Sequence, residues 1–194
     1  MVSCQSTLAP GAGGIEGRGM KIDLGCGPRK KEGFTGLDQY SFLGVDHVVQ
    51  LGREPLPFAD GTVDEAHAAH FIEHLTAAER CQLLNELYRV MKPGAKMLMI
   101  VPHWGSSRAY GDPTHQWPPI GEMWFYYLNR AWRLEQAPHT DKSNWPQGYD
   151  CDFEATWGYS LHPALLTRNQ EFQQFAVNFY REGVQDITAT LTRR

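Results

Sequence analysis

The 194-residue sequence has no apolar run close to the roughly 20 residues that a membrane-spanning helix needs. Its first residues also lack the basic start and apolar middle of a signal peptide. Acidic and basic side chains nearly balance, 22 against 18, so the net charge is −4 and neither sign forms a long block. These absences disfavour a membrane or a nucleic acid as partner, and they make the cytoplasm the expected compartment.

Cysteine is scarce as well. The four cysteines, Cys4, Cys26, Cys81 and Cys151, do not stand in the close pairs that zinc ribbons and redox motifs use. A reducing compartment would keep them as thiols. The length suits one domain that buries its core without disulfides or metals.

Residues 1–19 are rich in glycine and show no pattern typical of a core element. Residues 15–18, Ile-Glu-Gly-Arg, resemble a cleavage site used in expression tags. Two interpretations stay open: vector sequence with Met20 as the natural start, or a native disordered arm. In either case the domain is predicted to span residues 20–194.

The pattern of the first half alternates strands and a helix. Strands are predicted over residues 20–24, 34–37, 45–51, 63–69 and 97–101. A helix is predicted over residues 76–92, because Thr76 and Glu79 form a capping box and Pro93-Gly94 follow. Strand, helix and buried strand in this order indicate a parallel sheet with crossover connections.

The second half is aromatic. All six tryptophans lie between Trp104 and Trp157. The predicted elements there are a helix over residues 120–133, a strand over 153–159, a helix over 170–181 and an alternating strand over 184–191. Aromatic side chains pack cores and also stack on planar ligands, so both roles are expected in this region.

A glycine-rich turn, Asp23-Leu24-Gly25-Cys26-Gly27, follows the first predicted strand. Glycines at such a turn let a ligand approach the backbone closely. The turn is not a dinucleotide fingerprint, because Lys30 occupies the third glycine position and Asp38 follows too soon. A nicotinamide enzyme is therefore disfavoured.

Several motifs in order resemble the class I S-adenosylmethionine-dependent methyltransferases, in the subgroup of small type 11 proteins. They are residues 22–27, Gly36-Leu37-Asp38, residues 55–60, residues 70–75, and residues 87–94 with 97–102. The resemblance implies a Rossmann-like α/β fold, with a mostly parallel seven-stranded sheet, helices on both faces and an antiparallel closing strand. Only six residues, 28–33, separate the glycine turn from the second strand, whereas a parallel crossover needs about a dozen. The first helix must therefore be shortened to about one turn or lost.

The resemblance also implies that S-adenosyl-L-methionine is the cofactor and that the Asp38 carboxylate accepts hydrogen bonds from its ribose hydroxyls. The expected cofactor-binding residues are Asp23, Gly25, Cys26, Gly27, Asp38, Gln50, Leu51 and His70. Gln50 stands where many relatives place an acidic residue near the adenine, and its side-chain oxygen is able to accept a hydrogen bond from the adenine amino group.

The acceptor is expected to be a small molecule methylated on oxygen or nitrogen, since the Asn-Pro-Pro-aromatic signature of nucleic-acid base methylation is absent. His103, His115 and Tyr110, after the fifth strand, are the candidate catalytic residues. A cofactor-binding protein without turnover is the alternative.

His70, Glu73 and His74 also match the inverted pattern of a zinc hydrolase. The sequence offers no identifiable third ligand. No metal is therefore expected, and these histidines are predicted to be structural or to line the cofactor site.

Overall fold

The computed structural model describes residues 19–194. The prediction for residues 1–18, most of the expected arm, lies outside them. Seven strands form one sheet in the order β3-β2-β1-β4-β5-β7-β6. Their bounds are β1 (Met20–Leu24), β2 (Thr35–Asp38), β3 (His47–Val48), β4 (Val63–Ala69), β5 (Met91–Pro102), β6 (Phe153–Leu161) and β7 (Val184–Arg193).

The sheet confirms the predicted class. Strands β1 to β5 pair in parallel, and β7 pairs antiparallel with both β5 and β6. The helices are α1 (Ala77–Val90), α2 (Arg108–Gly111), α3 (Glu122–Tyr126), α4 (Arg130–Gln136) and α5 (Gln170–Phe179). In the described part of the chain, no helix has both the length and the apolar composition needed to cross a bilayer.

One face of the sheet carries the core. Ile22, Ala66, Met97 and Leu191 lie side by side in register and are all buried. Helix α1 packs on this face through buried side chains of one stripe, Leu83, Leu84, Leu87 and Val90. Phe125 of α3 stacks on Trp157 of β6 and joins the same core.

The opposite face is more polar. Lys21, Glu65, Lys96, Thr192 and Glu154 form one row across five strands, and each is half-buried or exposed. Two segments cover parts of this face. Phe34, in the loop before β2, packs edge-on against His67, and Arg108 of α2 pairs with Asp186 of β7 at 2.6 Å.

The predicted helix α1 begins as expected. The Thr76 hydroxyl accepts a hydrogen bond from the Glu79 backbone N–H, and the Thr76 backbone N–H donates to the Glu79 carboxylate, which is a full capping box. The chain turns extended at Met91, two residues before Pro93, and continues directly into β5. The cap and the apolar stripe were therefore readable from the sequence, while the end was misplaced by two residues.

Three predicted elements need correction. No helix joins β1 to β2 within residues 19–194, so of the two alternatives for the first helix, loss is the one observed. The predicted helix over residues 120–133 is broken into α3 and α4, because the Asn129 side chain caps a new helix by accepting from the Trp132 N–H at 2.9 Å. The third strand is only His47–Val48, because the chain turns at once: the Gln50 carbonyl accepts from the Arg53 N–H.

Candidate functional site

The predicted cofactor residues lie where three parallel strands end. Leu24 at the end of β1 is in register with Leu37 of β2, and Asp38 is in register with Val48 at the end of β3. The segments that follow, including Gly25 and Gln50, therefore leave the sheet at the same edge. In open α/β sheets this carboxyl edge is the usual ligand site.

Gly25 and Gly27 take conformations that favour glycine, with φ of +61° and +52°. A Cβ atom on Gly25 would fall 2.2 Å from the Phe71 ring, so the close approach of the two segments requires glycine there. A Cβ on Gly27 would meet nothing within 4 Å. The turn thus borders open space at Gly27.

Asp38 closes the turn. Its Oδ2 accepts a hydrogen bond from the Gly27 N–H at 2.9 Å, and its Oδ1 accepts from the Tyr40 N–H at 3.0 Å. Each carboxylate oxygen has a further lone pair, so two more donors such as vicinal hydroxyls fit the same group. Asp38 is 8% exposed, which places a negative charge at the rim of the crevice with only backbone amides as observed partners.

Asp23 and Cys26 support the turn. Asp23 accepts from the Lys31 N–H at 2.8 Å and contacts His67 Nδ1 at 2.7 Å, so both of its oxygens hold protein groups. Burial raises the pKa of the Cys26 thiol to about 11, with Asp23 and Asp38 adding to the shift. The Cys26 sulfur therefore stays a neutral thiol at physiological pH and is a poor nucleophile.

His70 follows β4 at the same edge. It has a φ of 52°, which is uncommon for a residue other than glycine and implies backbone strain of about 1 to 3 kcal/mol. Its N–H donates to the Ile100 carbonyl of β5 at 2.9 Å, which holds this conformation. The Glu73 carboxylate, 3.5 Å from His70 Nδ1, raises the pKa of His70. Strained residues of this kind cluster at ligand sites.

A cavity of about 760 Å³ opens beside α1 and the aromatic segment after β5. Its wall includes Arg80 and Glu122 together with seven aromatic residues: Trp104, Tyr110, Trp117, Trp124, Tyr127, Trp145 and Tyr149. The glycine turn and Asp38 are not part of its wall. The cavity lies beside the end of β5, since His103 and Trp104 follow the last residue of that strand and Trp104 is part of the cavity wall.

Glu122 is the polar group that the sequence analysis missed. Its Oε1 accepts a hydrogen bond from the Tyr159 hydroxyl at 2.9 Å and contacts His103 Nε2 at 3.1 Å. The pKa of Glu122 is lowered to about 2, mainly by its hydrogen bond with His103. Its signal in the sequence was a single carboxylate among the aromatic residues from Trp117 to Tyr127.

The three predicted catalytic residues are not brought together. Tyr110 is half-exposed in the cavity wall. His103 is buried, with Nδ1 accepting from the Gly105 N–H at 3.1 Å and Nε2 on Glu122, so both ring nitrogens are engaged. His115 lies against His74, with 4.7 Å between ring centroids, and does not line the cavity.

Known proteins resemble this chain in sequence. A family model described as a methyltransferase domain matches residues 29–99. The ubiquinone/menaquinone biosynthesis C-methyltransferase UbiE of Klebsiella pneumoniae subsp. pneumoniae is 28% identical over 174 residues, covering 82% of this chain and 66% of that protein. An uncharacterized methyltransferase of Synechocystis sp. is 28% identical over 130 residues, covering 58% of each chain. The chain thus spans slightly less than two thirds of the Klebsiella protein.

A solved structure shares the fold. A SAM-dependent methyltransferase from Archaeoglobus fulgidus aligns with a TM-score of 0.63 at 19% identity, covering 92% of this chain and 88% of that chain. At this identity the likeness concerns the fold alone.

Proposed function

We propose that this chain, a class I S-adenosylmethionine-dependent methyltransferase by its motifs, fold and sequence relatives, methylates a small, planar and largely apolar acceptor held in the aromatic cavity. The observation that carries this proposal is the position of the cavity. Its wall includes Trp104, which lies two residues past the end of β5. Strand β5 ends at the same sheet edge as Gly27 and Asp38.

S-adenosyl-L-methionine is the cofactor, and the crevice at the ends of β1 to β3 fits it. Asp38 is placed to accept hydrogen bonds from the ribose hydroxyls through the lone pairs that Gly27 and Tyr40 leave free. Gly27 gives the methionine part access to the backbone, and Gln50 and Leu51 follow β3 on the adenine side. Asp23 acts indirectly in this proposal, by holding the turn through Lys31.

When bound, S-adenosyl-L-methionine would supply a methyl group on a positively charged sulfur. The acceptor atom would bond to the methyl carbon in line as the carbon–sulfur bond breaks, S-adenosylhomocysteine would leave, and the acceptor's proton would pass to solvent. Catalysis of such a displacement depends largely on how the two reactants are held. Trp104, Trp117 and Trp124 offer flat apolar surfaces on which a planar ring stacks. The protein's main task is therefore orientation of the acceptor.

Glu122 orients the acceptor in this proposal. With a pKa of about 2 it is ionised at neutral pH and is too weak a base to remove a proton from a hydroxyl or amine efficiently. It instead accepts a hydrogen bond from an acceptor O–H or N–H, while Tyr159 and His103 fix its direction. His103 is a positioning residue here, and Tyr110 is the predicted catalytic candidate that lines the cavity.

The relatives suggest the class of acceptor. The Klebsiella protein is named for methylation at carbon in quinone biosynthesis, and an aromatic ring carrying hydroxyl groups suits a cavity of tryptophans with one carboxylate. We therefore place hydroxylated aromatic compounds first among acceptors, with methyl transfer to oxygen, nitrogen or ring carbon to be distinguished by experiment. Cytoplasmic location and the absence of a nucleic-acid partner stay predictions.

The test has two parts. S-adenosylmethionine is titrated into the protein by calorimetry, and a panel of hydroxylated aromatic compounds and amines is then screened for S-adenosylhomocysteine release and methylated product by mass spectrometry. Cofactor binding with turnover of an aromatic acceptor supports the proposal. Cofactor binding without turnover of any acceptor would favour the binding-protein alternative.

Glu122→Gln separates acceptor binding from cofactor binding. We expect this variant to bind S-adenosylmethionine as the wild type does and to raise the acceptor KM by about tenfold, since a hydrogen bond to a charged group contributes roughly 1.5 to 3 kcal/mol. Glu135→Gln, on the exposed side of α4, is the matched control. An unchanged KM in Glu122→Gln would remove Glu122 from the acceptor site.

A further inference from the structure

A second polar cluster lies outside the aromatic cavity, where the chain turns after β4. Glu73 and His74 meet His115 from the loop after β5, and one ligand atom from each of the three residues lies within 4.8 Å of the others. The two segments are far apart in sequence but adjacent in space, since the Gln116 N–H donates to the Glu73 carbonyl at 2.8 Å.

Glu73 lacks hydrogen-bond partners. Its side chain is 6% exposed, and within residues 19–194 neither carboxylate oxygen has a hydrogen bond. A buried carboxylate without partners is strongly disfavoured, so buried charges are normally paired or bound to a metal ion. A cation is therefore expected beside the Glu73 carboxylate.

The hydrogen bonds of both histidines leave one ring nitrogen free. The Thr114 hydroxyl donates to Asp112 at 2.6 Å, so its oxygen accepts from the Nδ1–H of His74 at 2.9 Å. His115 Nδ1 donates to the Ala109 carbonyl at 3.3 Å. Each Nε2 then carries a lone pair. Histidines that bind metals are held in this way, with the other nitrogen donating to an oxygen.

Asp112, from the loop after β5, offers a further carboxylate beside His115. Its Oδ1 accepts from Thr114, while its Oδ2 lies 3.8 Å from His115 Nε2. Two histidines with one or two carboxylates form a donor set that suits zinc. Ligand atoms around tetrahedral zinc are roughly 3.3 Å apart, given bond lengths of about 2.0 Å. The ligand atoms of Glu73, His74 and His115 would therefore have to approach one another by up to about 1.5 Å on binding the ion.

We propose that Glu73, His74 and His115, with Asp112 as fourth ligand, bind one Zn²⁺ ion. The proposal departs from the sequence-based expectation that no metal is bound. His115 is the ligand that the sequence did not identify. The ion would tie the turn after β4 to the loop that carries Tyr110 and Trp117 into the cavity wall, so its first effect is on the order of that loop. The site does not depend on methyl transfer or on the identity of the acceptor.

Two protein groups compete for this role: the His70 ring, and the buried guanidinium of Arg80, which donates to the Glu73 backbone carbonyl at 3.3 Å. His70 Nδ1 lies 3.5 Å from Glu73 Oε1, so a protonated His70 is the alternative counter-ion. The two explanations differ in a simple way: the ion pair needs no metal and does not involve His74 or His115.

The experiment uses tag-free protein dialysed against a chelator. Zn²⁺ is titrated in by calorimetry, and Co²⁺ is added as a spectroscopic probe whose visible absorption reports nitrogen and oxygen ligands. We expect one ion per chain, a rise in melting temperature and protection of the loop from proteolysis. His74→Ala and His115→Ala should each weaken Zn²⁺ binding at least a hundredfold. Thr114→Val removes the hydroxyl that holds both His74 and Asp112, so it should weaken binding by about tenfold.

His162→Ala is the matched control, because His162 is exposed and outside the cluster, and its Zn²⁺ affinity should equal that of the wild type. A folded wild-type protein that takes up neither ion overturns the proposal without any variant. Binding that persists unchanged in both His74→Ala and His115→Ala overturns it too. Cofactor titration in the chelated protein is a separate measurement, so a failure here leaves the proposed function intact.

Discussion

At the level of single residues, Asp38 links the sheet to the glycine turn by accepting a hydrogen bond from the Gly27 N–H, and this gives a direct prediction. Asp38→Ala should weaken S-adenosylmethionine binding by at least about tenfold, because it removes the acceptor proposed for the ribose hydroxyls. Asp38→Asn keeps the shape of the side chain but loses its charge and one acceptor. The cofactor affinity of this variant should therefore lie between those of the wild type and Asp38→Ala. Calorimetric titration of the cofactor measures both.

Asp46 offers the matched control for Asp38. Its Oδ2 also accepts from a backbone amide, that of Gly36, at 2.7 Å, but it pairs with Lys30 outside the crevice. Asp46→Asn should loosen the segment between Lys30 and Gly36, which follows the glycine turn, without touching the cofactor. Equal loss of affinity in Asp38→Asn and Asp46→Asn would mean that Asp38 acts only by holding the turn.

Glu122 makes a prediction about pH. A carboxyl group whose pKa falls from 4.5 to about 2 on folding stabilises the protein above pH 4.5, and this contribution is lost as the pH falls toward 2. The difference in free energy of unfolding between the wild type and Glu122→Gln should therefore be largest above pH 4.5 and shrink below it. Urea unfolding across this range measures it, with Glu135→Gln as control. A difference that does not change with pH would contradict the hydrogen bonds assigned to Glu122.

At the level of elements, α1 carries a buried arginine that ties three segments together. Arg80 donates to the carbonyls of Ile72, Glu73, Gln116 and Pro118, at distances between 2.6 and 3.3 Å, and is 2% exposed. Arg80→Met would leave several of these carbonyls buried without a donor. We expect it to lower the free energy of unfolding by about 3 kcal/mol or more.

Arg53 is the control for Arg80. Its side chain pairs with Glu79 at the start of α1 but is 68% exposed. Exposed ion pairs contribute about 0 to 1 kcal/mol, so Arg53→Met should change the free energy of unfolding little. Similar effects of the two substitutions in urea unfolding would show that the Arg80 contacts are not important for stability.

At the level of the whole molecule, the two faces of the sheet differ, and adjacent residues of β5 test the difference. Met99 is fully buried under the helices, while Leu98 is half-buried on the polar face between His67 and Thr190. Met99→Ala should lower the free energy of unfolding by about 2 to 5 kcal/mol. Leu98→Ala should cost less than about 1 kcal/mol. Equal costs would mean that the polar face is covered as tightly as the core face.

The sequence by itself determined the elements that depend on local chemistry. The capping box of Thr76 and Glu79, the apolar stripe of α1 and the strand Val63–Ala69 were all predicted, because each follows from residues a few positions apart. The glycine turn after the first strand was predicted for the same reason, while the role of Asp38 was implied by the family resemblance. The parallel order of strands follows from the connections between them.

Only the tertiary structure decided the rest, since contacts between distant segments leave no local pattern. The hydrogen bonds of Glu122 with His103 and Tyr159 join α3 to the loop after β5 and to β6. His115 meets Glu73 and His74 because the loop after β5 folds back onto the turn after β4. In each case the deciding free energy belongs to hydrogen bonds and burial that exist only once the sheet has formed.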